Sequence, residues 1–203
     1  LCIVKILIIS PWPILILIIV LLCYLGARNW KLPLASALTF TFIGYLGMWE
    51  DTMSTIALIS VATIICILIG MPLGIWMSRS DRVQKILNPI LDVMQTIPIF
   101  VYLLPVLMLL GIGKVPGLIA ICVYAMPPII RLTNLGIRLV DKDILEASNA
   151  FGANYKQRLL EIQIPLALPN IFAGINQTIM MALAMVVIAS MICLLYTSDA
   201  ADE

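Results

Sequence analysis

The sequence predicts an all-α protein, a polytopic transmembrane helical bundle, on three observations. Hydrophobic residues make up 63% of its 203 positions and mean hydropathy is +1.12, against roughly 45–50% apolar residues in a soluble domain. The apolar residues are gathered into runs close to the ~20-residue length of a membrane-crossing helix, not into stripes or alternations. Strands of a membrane barrel would alternate apolar with polar positions, so helices, which satisfy their own backbone in hydrocarbon, are the predicted element.

Six runs can be placed, at residues 4–25, 32–49, 53–77, 93–112, 115–130 and 166–195. Pro11 and Pro13 blur the start of the first, but it continues apolar to Gly26 with no small-residue cleavage site, so it reads as a span and not a signal. Thr39, Thr41 and glycines dilute the second. Between the third and fourth, Ser80 and Asp81 offer an N-cap and an acidic first turn. Val83, Ile86, Leu87, Ile90 and Leu91 then follow at helical spacing. That predicts a short amphipathic helix on the cytoplasmic surface, bent at Pro89. Pro98, Pro105, Pro127 and Pro128 remove hydrogen bonds from the next two spans, as packing kinks or as gate-lining ones.

Orientation follows from the basic residues. With the long polar interval 131–163 in the cytoplasm, all of the 12 Lys and Arg except Lys5 and Lys114 fall on that side. The opposite orientation would invert the bias.

Net charge is +1, so no global field points to nucleic acid. Cys2, Cys23, Cys66, Cys122 and Cys193 all lie in apolar runs without metal-ligand spacing, and histidine is absent. No metal site or catalytic set is expected, and the carboxylates sit in loops, which argues against a membrane enzyme. Gly111-Ile112-Gly113-Lys114-Val115 lacks the spacing and hydroxyl of a phosphate loop, so ATP is expected to be bound by another subunit, with no cofactor on this chain. The alternative is an ion-coupled secondary transporter for small solutes. It calls for ionisable residues at mid-span or an inverted repeat of broken helices, neither of which is clear.

Asp92, Gln95, Thr96 and Pro98 mark the start of the fourth span and are candidates for a translocation path. Asn176 and Gln177, with Thr178, lie within the last span, where they either hydrogen-bond across helices or line that path. Arg131, at the end of the fifth span, reads as snorkelling.

The polar interval carries the sharpest pattern. Asp143 and Glu146 have capping-box spacing, predicting a helix over 144–151, and Gly152 fits the left-handed position past its end. Asn154 and Gln157 repeat the capping pattern and open a second helix, which Pro165 ends. Helix, sharp turn and helix make a rigid knob, with Ala147, Ser148 and Ala150 small enough for close approach by a protein partner.

These residues resemble the signature of ABC-importer permeases, Glu-Ala-Ala, three residues, Gly, nine residues, Ile, one residue, Leu-Pro. Here Glu146, Ala147, Ser148, Gly152, Ile162, Ile164 and Pro165 stand at that spacing, with Ser148 for Ala and Ile164 for Leu as departures. Further segments, Trp49-Glu50-Asp51-Thr52-Met53, Ile69-Gly70-Met71-Pro72-Leu73-Gly74-Ile75, Leu91-Asp92-Val93-Met94-Gln95-Thr96-Ile97-Pro98 and Asn176-Gln177-Thr178-Ile179-Met180-Met181-Ala182-Leu183, are similar to the glycine betaine/proline (quaternary-amine osmoprotectant) uptake permeases.

The resemblance implies a type I, MetI-like permease fold with 146–152 as a cytoplasmic coupling helix, in a bacterial inner membrane. It also implies a homodimer set in membrane lipid, an ABC ATPase subunit, an extracytoplasmic substrate-binding protein, and alternating access. Residues 1–50 would be N-terminal spanning helices and 51–192 the permease domain, with its coupling loop at 131–165. Residues 193–203 read as translated adapter read-through, to which no structure is assigned, and the chain, opening on Leu1, is expected to be a fragment. Trp12, Trp30, Trp49 and Trp76 fall near predicted interfaces and form no cage for a quaternary ammonium, so selectivity is expected in the binding protein.

Overall fold

The computed structural model describes residues 20–21, 31–111 and 113–199, so the first predicted span lies outside the described residues but for 20–21. The described elements are α1 (Lys31–Tyr45), α2 (Trp49–Arg79), α3 (Asp81–Thr96), α4 (Ile99–Leu110), α5 (Lys114–Arg138), α6 (Lys142–Ala150), α7 (Tyr155–Gln157), a π-helical turn Arg158–Gln163, and α8 (Ile164–Asp199). Among the described residues three helices are long and apolar enough to cross a membrane, or four spans if the bent pair α3 and α4 counts as one. The chain is a multi-pass membrane protein.

It divides into two units, Leu1–Ser60 and Val61–Glu203. In the first, α1 stops at Tyr45, short of the predicted 32–49 span. Gly47, with φ 74°, makes the left-handed turn that ends it, and Trp49 opens the next helix, its ring edge-on to Phe40 at 6.5 Å. Pro33 lies in the first turn, where a missing N–H costs nothing. Thr39 and Thr41 donate back to the carbonyls of Ala35 and Ala37 at 2.8 and 2.7 Å, which satisfies their hydroxyls locally.

The second unit is built on α5, which packs against the lower part of α2 on one side and α8 on the other. In lipid there is no hydrophobic drive between helices, so close packing must hold them. A Cβ added at Gly74 would fall 2.7 Å from Thr133 Cβ and 2.8 Å from the Ile130 carbonyl. One added at Gly136 would fall 2.8 Å from Asn170 Cβ. Met77, Leu91, Ile129 and Ile130 form one buried cluster, and Ile137, Ala167 and Ile171 another. Cys66 and Cys122 are buried free thiols at the α2–α5 contact, where Cys66 Sγ donates to the Cys122 carbonyl at 3.6 Å.

One boundary differs from expectation. The amphipathic α3 carries Pro89 within it and does not end there. It runs on to Thr96, because Pro89 and Lys85, whose carbonyl loses its donor, share an exposed face. The break falls instead at Ile97, which Pro98 drives into extended geometry (φ −69°, ψ 131°). The predicted span 93–112 is therefore split between the last residues of α3 and the 12-residue α4, at 104° to one another. At the other end, α8 runs as helix through Asp199, into the segment to which the sequence reading assigned no structure.

Candidate functional site

The site begins where α5 ends. Arg138 Nε donates to Asn134 Oδ1 at 3.1 Å, and its Nη2 donates to the Met77 carbonyl at 3.3 Å and to Asp81 Oδ1 at 2.7 Å. Two turns earlier Arg131 pairs with Asp92. These two ion pairs lay α3 antiparallel along the end of α5. Arg131 is thus an anchor and not a snorkelling residue, and the Asp92 carboxylate is engaged by it. Ser80 stands at the α3 N-cap without a capping bond from its side chain.

The α6 helix follows after a short corner. Its N-cap is Asp141, whose Oδ1 accepts from the Asp143 N–H at 3.1 Å. The predicted box of Asp143 with Glu146 is displaced by two residues, because the corner at Val140 puts Asp141 first in reach of a free N–H. At the far end the Ala153 N–H donates to the Ser148 carbonyl and the Gly152 N–H to that of Asn149, both at 3.0 Å, and Gly152 has φ 77°. This is the six-to-one and five-to-two pair of a Schellman turn, which requires the left-handed residue that glycine supplies. Ser148 faces inward, 7% exposed, with its hydroxyl donating to the Leu145 carbonyl at 2.7 Å.

The outer face is unexpectedly apolar. Phe151 is 92% exposed and Ile144 is also exposed. With Ala147 between them they stand three and four residues apart, on one side of the helix. Glu146 is exposed beside Ala147. Beneath the start of α6, a cavity of about 200 Å³ lies among Val140, Asp141, Ile144, Leu166 and Asn170. Phe151 and Ile144 stand outside the signature, and their signal in the sequence is apolar side chains at helical spacing in an otherwise polar segment.

The return to the bundle opens as predicted, with Gln157 Oε1 accepting from the Asn154 N–H at 2.9 Å. Pro165 does not end this helix. It is the second residue of α8, and the turn before it, Arg158–Gln163, is π-helical, with the Ile164 N–H reaching the Leu159 carbonyl. A straight α-helix would press the proline ring against the Glu161 carbonyl and leave that group without a donor. The widened turn accommodates both. Ile162 is half-buried in this turn and Leu159 is buried. Arg158 Nη1 donates back to Asn149 Oδ1 at 2.8 Å, and the Tyr155 ring lies under the guanidiniums of both Arg79 and Arg158.

A family model described as the binding-protein-dependent transport system inner membrane component matches residues 66–198, which include the whole of this element. The chain belongs to that family. The chain is 50% identical over 182 residues to the glycine betaine/proline betaine transport system permease protein ProW of Escherichia coli K12, covering 90% of this chain and 51% of the relative. It is 48% identical over 179 residues to the glycine betaine transport system permease protein OpuAB of Bacillus subtilis 168, covering 86% and 64%. A solved chain of the inward-facing MetNI methionine ABC transporter superposes with a TM-score of 0.60 at 20% identity, over 68% of this chain and 70% of that one. That likeness shows the MetI-like permease fold. The chain spans about half the length of the ProW relative.

The candidate path residues of the chain sit on separate elements. Gln95 is half-buried and Thr96 exposed at the end of α3, with the Thr96 hydroxyl turned back to the Val93 carbonyl at 3.3 Å. Pro98 is the N-cap of α4, at the bend. Asn176 and Gln177 are both exposed on the outer face of α8, while Thr178, the next step round the helix, is fully buried. Among the described residues no hydrogen bond across helices occupies Asn176 or Gln177.

Proposed function

We propose that this chain is the membrane-spanning permease subunit of an ATP-driven importer that translocates glycine betaine, proline or a related quaternary amine by alternating access. The observation that carries the reading is α6. It is a capped helix with Ala147 and Phe151 facing outward and Ile144 exposed at its start, its residues Glu146 to Gly152 stand at the spacing of the permease signature, and the family is named for binding-protein-dependent transport.

In this reading a separate ABC ATPase subunit binds and hydrolyses ATP, so the permease itself holds no cofactor. Glu146, Ala147 and Gly152 form the docking knob, Ser148 packs its inner side, and Ile162 and Pro165 are its root. An extracytoplasmic binding protein delivers substrate, and two permease copies in the bacterial inner membrane enclose the path. The relatives' names, which speak of glycine betaine and proline betaine, support the substrate class. Asn176 and Gln177 support a polar lining, since exposed amides within a span are costly against lipid and are accommodated beside water or another subunit. Gln95, Thr96 and Pro98 would sit at a mouth of that path.

The test is co-purification of the ATPase subunit with the permease, and uptake of labelled glycine betaine into proteoliposomes. Gly152→Val places a β-branched residue at φ 77° and is expected to abolish both while leaving membrane insertion intact. Recovery of the ATPase at wild-type levels with that variant would sink the coupling assignment.

A further inference from the structure

A push on α6 can reach the bundle along the chain in two directions, through Val140 into α5 and through Ala153 into α7 and α8. Side chains add a third route that the sequence does not connect. Asn149, in α6, accepts from Arg158 at 2.8 Å. The Arg158 guanidinium lies over the Tyr155 ring at 5.4 Å, and the guanidinium of Arg79, the last residue of α2, lies over the same ring at 4.6 Å. Among the described residues the ion pairs are those of Arg131 and Arg138, so neither Arg79 nor Arg158 is paired with a described carboxylate. Two like charges converge on one ring face system, and the ring's negative quadrupole is what makes that arrangement favourable.

We propose that Tyr155 is a positioning residue for coupling, an aromatic pin through which movement of α6 is passed to α2. The proposal rests on the importer reading above. Tyr155 is 47% exposed, so truncating it opens no sealed cavity, and its ring, not its hydroxyl, makes both contacts. The pin therefore differs in kind from the buried glycine contacts, which hold the bundle whether or not it moves.

The experiment reconstitutes the full chain with its ATPase subunit and measures three quantities: binding of that subunit, ATP hydrolysed, and glycine betaine taken up. Tyr155→Leu is expected to bind the subunit as the wild type does, while uptake per ATP falls about tenfold. Tyr155→Phe is expected to restore the wild-type ratio. Arg79→Gln, which leaves the knob untouched, is expected to lower the ratio too, and adding Tyr155→Leu to it should lower it little further, because both changes break one linkage. An unchanged ratio in Tyr155→Leu overturns the proposal. So does loss of subunit binding, which would make Tyr155 part of the docking surface, and so does failure of Tyr155→Phe to rescue. A wild-type permease that takes up betaine without ATP overturns the importer reading itself, a result visible before any variant is compared.

Discussion

Arg138 Nη2 stands 2.7 Å from Asp81 Oδ1, joining the first turn of α3 to the last turn of α5 across 57 positions of sequence. The pair is not the main contribution of Arg138. Asp81 is 79% exposed and the arginine side chain 33%, and ion pairs in such settings contribute about 0–1 kcal/mol. The same guanidinium, however, supplies donors to the Asn134 amide, which is buried, and to the Met77 carbonyl. Removing it leaves those acceptors short, at about 1–3 kcal/mol. Thermal unfolding of the purified permease should therefore show a small loss for Asp81→Asn and a clearly larger one for Arg138→Ala. Equal losses would mean that the ion pair alone matters.

Glycines on α5 separate packing from propensity. At Gly136 a new Cβ would lie 2.8 Å from Asn170 Cβ and 3.2 Å from the backbone carbonyl of Ala167, which cannot swing away. Gly136→Ala should destabilise the α5–α8 contact by about 1–3 kcal/mol. At Gly117 nothing lies within 4 Å, so Gly117→Ala should be neutral or stabilise by up to about 1 kcal/mol through helix propensity. Unfolding measured in one detergent for both variants checks the sign of each, and a stabilised Gly136→Ala would refute the close crossing.

What the sequence made legible was whatever depends on local chemistry. The apolar runs of α2, α5 and α8, the left-handed Gly152 and the box of Asn154 with Gln157 all follow from residue type and short spacing. What escaped it depends on where distant segments meet. Arg131 reads as snorkelling until α3 folds back and brings Asp92 beside it, 39 positions away. Pro165 reads as a helix end because the pattern gives no sign of a π turn that accommodates the ring. Nothing in the local pattern singles out Tyr155, whose role depends on Arg79 arriving from α2.

Phe151 offers a clean division between folding and docking. With 92% of its surface in solvent, it contributes almost nothing to the fold, whereas burial against a partner would gain about 1.5–3 kcal/mol. Phe151→Ala should leave the unfolding midpoint within about 0.5 kcal/mol of wild type. Its affinity for the proposed ATPase subunit should drop about tenfold or more, as for an aromatic anchor at an interface. Titration of the labelled subunit onto permease in nanodiscs gives both numbers on one sample. Unchanged affinity would remove Phe151 from the docking face.

The position of the α6 N-cap separates the structure from the simplest reading of its sequence. Asp141 accepts from the Asp143 N–H, so Asp141→Ala exposes a helix start and should cost about 1 kcal/mol, felt locally. Asp143 lies within the first turn, where its charge assists the helix dipole by about 0.3–1 kcal/mol at most. Amide hydrogen exchange over residues 142–150 should therefore accelerate about fivefold in Asp141→Ala, and distinctly less in Asp143→Ala. ATPase affinity should follow the same order, because a frayed α6 must be refolded on docking. If Asp143→Ala frays the helix more, the cap is where the sequence spacing first put it.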